Sequence, residues 1–573
     1  MVDALFFVYK RVLSSLLWET HKPTYTYTKN TEFFLGTEMG SSLWCFFSVR
    51  YITLLLLINA ACCFSFVQTQ TLCHDDERSA LLQFKASFTV NKSASQDPFA
   101  YPKVAYWGRL EGDPQRSNCC SWDGVECNHD SGHVIGLDLA SSYLHGSINS
   151  NSSLFQLVQL QRLDLSDNNF SYSQIPSSYE SHLKMSNFGS LVQNLTNIKQ
   201  LHLSWGQFPV GIFHLPNLQV LDLANNEYLN GYFPDELNKS SPLKILDLFD
   251  TDFSGHLPAS IGDLRALNLL NIGLCTFYPH VPSSLSNLTH LNFLDLSYFS
   301  NKGNFSGQVT DSWSWVGKLT KLNYLSLVDT NLRGDFPCFL ANLTQLVELD
   351  LSENQIGEIP SSLANLTQLS ILHLRQNQIT GEVSCFLANL KQLSELRLYQ
   401  NQITGQIPSC LGQLTHLTSL DVQFNNLQGT IPRSLFDLRN LEYIYLDSNN
   451  LSGYVEFDEF SKLEKLRGLS LSHNKLSVQM KKGFSAIPPK LQVLGLGSCN
   501  LTEFPEFLKY STSKLVDLDL ADKNLQGQIP KWICNSARET LRFSQPLPQP
   551  LHWISRKSSH HSMASVKVFR ARL

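Results

Sequence analysis

Seven cationic and aromatic side chains recur at a regular spacing in the middle of this 573-residue chain. They are His373, Arg375, Arg397, Tyr399, Phe424, Tyr443 and Tyr445. Arginine forms paired hydrogen bonds with carboxylates, and arginine and tyrosine dominate the energetic centres of many protein interfaces. The seven residues therefore form a candidate ligand-binding surface for an acidic group or the C-terminus of a peptide. The alternative is a solvated strand face that has no partner.

Motifs for catalysis or cofactor binding are absent from the sequence. It contains no G-x-x-x-x-G-K-[ST] phosphate loop, no G-x-S-x-G nucleophile motif, no H-E-x-x-H zinc motif and no kinase signature. The 17 histidines do not recur at metal-ligand spacings with cysteine or carboxylate residues. A formal net charge of −5, without a basic stripe, argues against a nucleic-acid partner. The sequence thus predicts a non-enzyme without cofactor or metal.

The candidate residues are positioned by a repeat. The phrase L-x-x-L-x-L occurs 16 times between Ile135 and Asn535, usually 23 to 25 residues apart, as in LVELDL at Leu346–Leu351. Leucines alternate with other residues in L-x-L, so each unit predicts a short strand with one buried face, and the following S-L-x-x-L phrase predicts a short helical segment. One unit cannot bury its leucines alone, so the repeats must stack. The predicted fold is an α/β solenoid, a right-handed superhelix with a parallel β-sheet on its concave face.

An asparagine often follows the second leucine of L-x-L by three residues. It occurs at Asn168, Asn226, Asn354, Asn377, Asn401, Asn425, Asn449 and Asn474. A side-chain amide can bond backbone groups in the turn that leaves the strand, so stacked repeats predict an asparagine ladder that satisfies a buried loop. Cys275 and Cys499 occupy this position in two repeats and are predicted to be buried structural thiols.

The other cysteines fall into two groups. Cys73, Cys119, Cys120 and Cys127 are an even set of four close behind an apolar N-terminal run, which suggests a cap held by two disulfide bridges. Three more occupy similar positions on the helical side of nearby repeats and are predicted to be buried thiols rather than a bridge. These three are Cys338, Cys385 and Cys410.

The apolar run Tyr51–Val67, preceded by Arg50, predicts an export signal. A cleaved signal is favoured, and an uncleaved signal-anchor is the alternative because the run is near the lower limit for a membrane span. Met39 is a more natural start for such a signal than Met1. The predicted organisation is an upstream extension at 1–38, the signal peptide at 39–70, the N-terminal cap at 71–130, the array of about 16 repeats at 131–536 and a basic non-repeat tail at 537–573.

Eleven N-x-S/T sequons occur in the chain. They are Asn91, Asn151, Asn169, Asn194, Asn238, Asn287, Asn304, Asn342, Asn365, Asn450 and Asn500. Their number in an exported chain predicts a heavily glycosylated surface, and most are expected to carry a glycan. The alternative is that the phrase N-L-T merely suits the turn before a strand.

Two features make the chain resemble the plant-specific class of leucine-rich-repeat proteins. One is the G-x-I-P phrase, as at Gly357–Pro360 and Gly405–Pro408; the other is the segment CHDDERSALLQFKASF followed by SNCCSWDGVECN at Ser117–Asn128. That segment looks like the N-terminal cap of plant receptor kinases, receptor-like proteins and polygalacturonase inhibitors. The resemblance implies a helical cap with bridges Cys73–Cys119 and Cys120–Cys127.

Within this class the chain is most similar to receptor-like proteins of the disease-resistance type, through the irregular segment Gln174–Gln200 and the recurrent N-L-T phrase. The resemblance implies an extracellular recognition module at the plasma membrane that binds a peptide, or a ligand derived from a pathogen or the cell wall, in plant defence or development, and signals through a co-receptor kinase. Related receptor kinases hold a peptide carboxylate with an R-x-R pair. The matching positions here read His373-x-Arg375 and Arg397-x-Tyr399, so that motif is half present.

The C-terminal tail departs from that family. Residues 537–573 contain no closing cysteine pair, no island and no membrane anchor, so the chain looks truncated before the anchor that the family carries. A truncated product would enter the secretory pathway and reach the apoplast. Two other functions therefore stay open, a secreted inhibitor of a wall-degrading enzyme of the polygalacturonase-inhibitor type and a non-functional fragment.

Overall fold

The computed structural model describes residues 72–108, 118–146, 148, 152–170, 196–202, 206–208, 210–278, 280–298, 313–479, 488–501, 503–505, 508, 515–521 and 565–567. Several predictions fall on other residues: the upstream extension, the signal peptide, nearly all of the tail, most of the irregular segment, and the sequons Asn151, Asn194 and Asn304. Within the described part of the chain, no helix is both long enough and apolar enough to cross a membrane.

An α-helix, Asp75–Ala86, covers the start of the repeat array. Its buried face includes Leu81 and Phe84, and acidic side chains occupy its first turn, where they interact favourably with the helix dipole. Buried Glu77 accepts hydrogen bonds from the Val134 backbone N–H at 2.9 Å and interacts with the His133 Nδ1 at 3.1 Å. The carboxylate thus fixes the cap helix to the first repeat strand.

The main sheet follows the leucine pattern, with one short strand per repeat and each strand paired to the next in chain order. Its first strand, Val125–Cys127, is antiparallel to the second, and all later pairings are parallel. The strands that follow are Val134–Asp138, Arg162–Asp164, Gln200–His202, Val220–Asp222, Ile245–Asp247, Leu269–Asn271, Phe293–Asp295, Tyr324–Ser326, Glu348–Asp350, Ile371–His373, Glu395–Arg397, Ser419–Asp421, Tyr443–Tyr445, Gly468–Ser470, Val493–Gly495, Asp517–Asp519 and Ser565–Lys567. The central residue of most strands is a fully buried leucine.

Shorter strands pair beside the main sheet, where the chain has left each turn. Phe88–Val90 and Leu144–Gly146 pair with each other. The other short strands are Gly206–Gln207, Asn226–Gly231, Thr251–Gly255, Thr276–Phe277, Arg333–Gly334, Gln355–Ile356, Gln428–Gly429, Asn450–Glu456 and Lys475–Gln479. The predicted helical segments are single turns of 3₁₀ helix. A five-residue segment that starts after a proline is too short for a stable α-helix.

The 3₁₀ segments are Lys92–Ala94, Lys103–Tyr106, Cys119–Ser121, Ser153–Gln156, Val210–His214, Ala259–Asp263, Ser283–Asn287, Trp313–Lys318, Cys338–Asn342, Ser361–Asn365, Cys385–Asn389, Ser409–Gln413, Arg433–Asp437 and Phe457–Lys462. Leucines from these segments and from the strands form a continuous core between the two layers. Each buried leucine contributes about 1.5–3 kcal/mol, but only when a neighbouring repeat covers it. The predicted leucine-rich-repeat solenoid with its parallel sheet and disulfide-bonded helical cap is confirmed.

The predicted asparagine ladder is confirmed, and its hydrogen bonds run between repeats. The Asn425 Nδ2 donates to the carbonyl of Val422 in its own turn at 3.1 Å and to that of Leu398 in the preceding repeat at 2.9 Å. The Asn425 Oδ1 accepts from the Ile403 N–H of that repeat at 3.0 Å. The same pattern recurs at Asn354, Asn377, Asn401, Asn449 and Asn474. Each buried turn is therefore satisfied jointly by two repeats.

Cys275 and Cys499 replace the ladder asparagine as buried free thiols, as predicted. The Cys275 Sγ lies 3.1 Å from the Leu248 carbonyl and the Cys499 Sγ 3.4 Å from the Leu471 carbonyl, so the sulfur keeps one bond of the ladder. Burial raises the pKa of Cys275 to about 12, which keeps it protonated and unreactive.

The prediction of buried thiols at Cys338, Cys385 and Cys410 is wrong. Cys385 and Cys410 form a disulfide, with their Cα atoms 5.7 Å apart, because stacking places the first residue of one 3₁₀ segment beside the second residue of the next. Cys338 is free and exposed. The next 3₁₀ segment begins with serines, at Ser361–Asn365, so it offers Cys338 no cysteine partner.

Asn425→Ala should lower the free energy of unfolding by about 2–3 kcal/mol, because it leaves several buried backbone groups without a partner. Asn426→Ala is the matched control, since Asn426 is the adjacent residue in the same turn and its side chain is exposed. Urea unfolding followed by circular dichroism measures both. A similar loss in the two variants would show that the ladder amide is not the cause.

Thiol labelling of the native protein under non-reducing conditions should modify Cys338 alone among the cysteines of the described repeats. Cys275 and Cys499 should react only after unfolding, and Cys385 and Cys410 only after unfolding and reduction. Peptide mapping by mass spectrometry distinguishes the three classes. Labelling of unreduced Cys385 or Cys410 would contradict the bridge.

Candidate ligand-binding surface

The register of the main sheet gathers the predicted residues on one face. Because successive side chains in a strand alternate, the residues on either side of each buried leucine point to the concave side. One row contains, on successive strands, Asp350, His373, Arg397, Asp421 and Tyr445. The remaining candidates lie in a parallel row, at Tyr443, or in the turns that follow the strands. The seven predicted residues are hereafter called the central patch.

Arg375 and Tyr399 meet at the end of neighbouring strands. The Arg375 NH1 lies 3.2 Å from the Tyr399 hydroxyl oxygen, and its guanidinium carbon is 5.8 Å from the centre of the ring. The same NH1 pairs with the Glu353 Oε1 at 2.8 Å and donates to the Gln376 Oε1 at 2.7 Å. Arg375 is therefore held in place by a carboxylate of this chain.

His373 and Arg397 share a second carboxylate. The His373 Nε2 lies 3.3 Å from the Glu395 Oε2 and its Nδ1 lies 3.4 Å from the Asp350 Oδ2. The Arg397 NH2 lies 2.8 Å from the same Glu395 oxygen. Burial alone would lower the pKa of His373, but its bonds to the two carboxylates raise it. Hydrogen bonding to His373 lowers the pKa of Glu395 against the effect of burial.

The other aromatic residues of the central patch lie one to two strands beyond the strand Glu395–Arg397. The rings of Tyr443 and Tyr445 have centres 6.0 Å apart, and burial, together with nearby Asp421, raises the pKa of Tyr445 to about 12. Phe424 is 54% exposed and has a φ of 53°. A large apolar side chain in the left-handed region is uncommon, and it is held there by the ladder bonds of the adjacent Asn425.

The carboxylates of this face escaped the sequence analysis, and they change what the patch can bind. Arg375, Arg397 and His373 are each paired with an acidic residue, so an acidic ligand group would have to compete with Glu353 or Glu395. Glu395 could have been found from sequence, because Glu395-x-Arg397 places both side chains on one face of the same strand. Glu353 lies in a turn, outside the L-x-L pattern, and had no comparable signal.

Seven of the described sequons have exposed asparagines: Asn91, Asn238, Asn287, Asn342, Asn365, Asn450 and Asn500. Asn169 is partly buried. Asn287, Asn342 and Asn365 each end a 3₁₀ segment, on the side of the repeat away from the main sheet. Glycans at these three positions would leave the central patch open.

In the cap the structure pairs Cys73 with Cys119 and Cys120 with Cys127. The sulfurs of Cys73, Cys119 and Cys120 lie within 4.8 Å of one another, a spacing that could suit a metal ion. All three are already engaged in disulfides, which leaves no thiolate to act as a ligand.

Models of known families match three stretches of the chain. A leucine-rich-repeat region matches residues 302–529, a leucine-rich-repeat N-terminal domain matches 74–128, and a leucine-rich repeat matches 159–181. Together they cover more than half of the sequence. The N-terminal match begins directly after Cys73 and includes the other three cap cysteines, and the longest match includes the whole central patch.

Curated relatives include receptor-like proteins of plants. The chain is 31% identical to Receptor-like protein 6 of Arabidopsis thaliana over 36% of its length, and 33% identical to Receptor-like protein Cf-9 of Solanum pimpinellifolium over 30% of its length. In each case the alignment spans 28% of the relative.

Solved structures show the same fold. The crystal structure of PEPR1–AtPEP1 is 26% identical, with a TM-score of 0.55, and the match covers 86% of this chain and 66% of that one. The Arabidopsis receptor kinase HAESA, in complex with the peptide hormone IDA and the co-receptor SERK1, is 24% identical with a TM-score of 0.52, covering 82% of this chain and 78% of that one. The second likeness concerns the fold alone.

Two acidic residues of the concave face, Glu348 and Glu395, should affect the stability of the protein in opposite ways as the pH rises. Burial raises the pKa of Glu348 to about 7, so the folded state binds more protons than the unfolded state, and this residue lowers stability as pH rises from about 4.5 to 7. Glu348→Gln should therefore stabilise the protein by about 1–2 kcal/mol at pH 7.5, a gain that disappears near pH 4.5.

Glu395→Gln provides the control in the same row of side chains. Because hydrogen bonding to His373 lowers the pKa of Glu395, its carboxylate adds stability above about pH 4.5, where the unfolded group ionises, and this variant should be less stable at pH 7.5. Thermal melting of both variants between pH 4.5 and 7.5 tests the pair. Stabilisation by both substitutions at pH 7.5 would contradict the assignment.

Proposed function

We propose that this chain, a leucine-rich-repeat protein similar to the receptor-like proteins of plants, is an extracellular recognition module that binds a peptide ligand on its concave face. The proposed role is in plant defence or development. A membrane-bound co-receptor kinase is proposed as the signalling partner, as the family resemblance implies. The ligand would be met on the extracellular side of the plasma membrane or in the apoplast.

The observation that supports this function best is the break in the row of concave side chains. In this row Asp295, Ser326 and Asp350 are followed by His373, Arg397, Asp421 and Tyr445, although nothing in the strand geometry favours the cationic and aromatic residues. Phe424 adds an exposed ring at a position where the backbone disfavours it. Aromatic and arginine side chains on a rigid surface are the usual composition of an interface centre.

The geometry favours an extended peptide. The central patch follows four neighbouring strands that are each about 4.8 Å from the next, so its length along the sheet, roughly 15 Å, spans about four to five residues of an extended chain. The PEPR1–AtPEP1 structure shares this fold at 26% identity. Affinity would come from side-chain contacts, because interior strands of the sheet already have both edges paired.

Tyr443→Ala/Tyr445→Ala should abolish selection of peptides by the secreted full-length chain from a random-sequence phage library, or weaken the binding of selected peptides at least about tenfold, because the variant removes two anchor side chains. Tyr454→Ala is the matched control. Tyr454 is 77% exposed but belongs to Asn450–Glu456, outside the main sheet.

Enrichment is read by sequencing the selected pools, and thermal melting checks that both variants fold. Peptides whose affinity falls only with the Tyr443/Tyr445 variant support the proposal. If the unaltered chain selects no peptide, or if Tyr454→Ala weakens peptide binding as much as Tyr443→Ala/Tyr445→Ala does, the result would argue against a peptide site on the concave face.

A further inference from the structure

We propose that the concave face binds a lysine or arginine side chain of the ligand at an acidic–aromatic site formed by Asp421, Asp447, Tyr443 and Tyr445. The inference rests on the proposed function, since it specifies the chemistry of the peptide bound there. It assigns the ligand a positive charge, whereas the arginines of the central patch had suggested a negative one.

Two carboxylates of this site are buried without a cationic partner. Asp421 is 7% exposed and Asp447 is 9% exposed. Asp421 accepts hydrogen bonds from the Gln423 N–H at 3.3 Å and from its Nε2 at 3.2 Å, and Asp447 is 3.5 Å from the Ser448 hydroxyl. Within the described part of the chain, neither carboxylate forms an ion pair with a lysine, arginine or histidine.

Desolvation without a counter-ion is unfavourable for a carboxylate. Burial accordingly raises the pKa of Asp421 to about 6, and it raises that of Asp447 as well. The nearby charges of Arg397, for Asp421, and His473, for Asp447, act in the opposite direction without cancelling the effect. An incoming cation would relieve this penalty, which favours the binding of a basic side chain beside Asp421 and Asp447.

The arginine closest in register does not supply that cation. Arg397 is paired with Asp421 across the strands, but its guanidinium is bound to Glu395 at 2.8 Å. The next two strands, Tyr443–Tyr445 and Gly468–Ser470, carry no lysine or arginine. A ligand carboxylate placed beside Asp421 and Asp447 would therefore meet two like charges.

The tyrosines give the site its shape. A Cβ atom at Gly468 would come within 2.6 Å of the Tyr445 hydroxyl oxygen and 2.8 Å of a ring carbon of Tyr443, so both rings lie against the glycine of the next strand. Tyr445 is in register with Asp421. Aromatic rings next to carboxylates attract a cation in two ways, because the ring quadrupole and the carboxylate charge both act on it. The rings also pack against the apolar stem of a lysine or arginine side chain.

Selection from the random-sequence phage library tests the charge of the ligand. The full-length secreted chain is compared with Asp421→Asn/Asp447→Asn, which removes both charges at constant size. Asp437→Asn/Glu464→Gln is the matched control, because it changes the net charge equally at two exposed positions outside the concave rows. Neither pair should impair folding, which thermal melting verifies.

The expected result is enrichment of lysine or arginine over aspartate and glutamate in the peptides selected by the unaltered chain. A synthetic copy of one such peptide should bind Asp421→Asn/Asp447→Asn about tenfold or more weakly and the control nearly unchanged. Replacing its basic residue by glutamine should reproduce the loss.

Two outcomes overturn the inference while leaving peptide binding intact. One is selection of peptides without basic residues; the other is a basic peptide that loses affinity with Tyr443→Ala/Tyr445→Ala but binds Asp421→Asn/Asp447→Asn as tightly as the unaltered chain. If no peptide is selected at all, the proposed function fails and the inference fails with it.

Discussion

The structure depends on one constraint: the backbone of each buried turn can be satisfied only by the repeat beside it. The Asn425 amide illustrates this, since it bonds carbonyls of two successive repeats and accepts an N–H of the earlier one. A single repeat would expose its leucines and also leave these polar groups without partners. Stacking is thus imposed by hydrogen bonding as well as by apolar burial, and each strand is held in a fixed register.

That fixed register allows the surface to vary. The residue before each ladder position adopts the left-handed conformation in successive turns whatever its type, as at Glu353, Gln376, Phe424 and His473. Because the ladder stabilises the turn, the side chain at this position is free to serve another purpose. Glu353 uses it to hold Arg375, and Phe424 uses it to expose a ring. Charged and aromatic groups therefore sit on a rigid frame that does not depend on them.

The repeat spacing was sufficient to predict the strands, the ladder and the rows of concave side chains, because each depends on a residue's place within its own repeat. Features that depend on two repeats at once were missed. The Cys385–Cys410 bridge requires the offset between stacked 3₁₀ segments, and the pairing of Arg375 with Glu353 requires the path of a turn. The burial of Asp421 was also missed, because the sequence shows it as one more aspartate in a polar row.

The Cys385–Cys410 bridge has a consequence for how the array opens. A linear stack frays from its ends, and each lost repeat uncovers the next, so fluctuations spread along the axis. A disulfide between two adjacent repeats keeps them from separating, so the fluctuations do not pass beyond it. This one lies behind the strands Ile371–His373 and Glu395–Arg397, which carry the cationic half of the patch. Local opening that begins at either end of the array would be stopped at the bridge, so these two strands keep their spacing when more distant repeats do not.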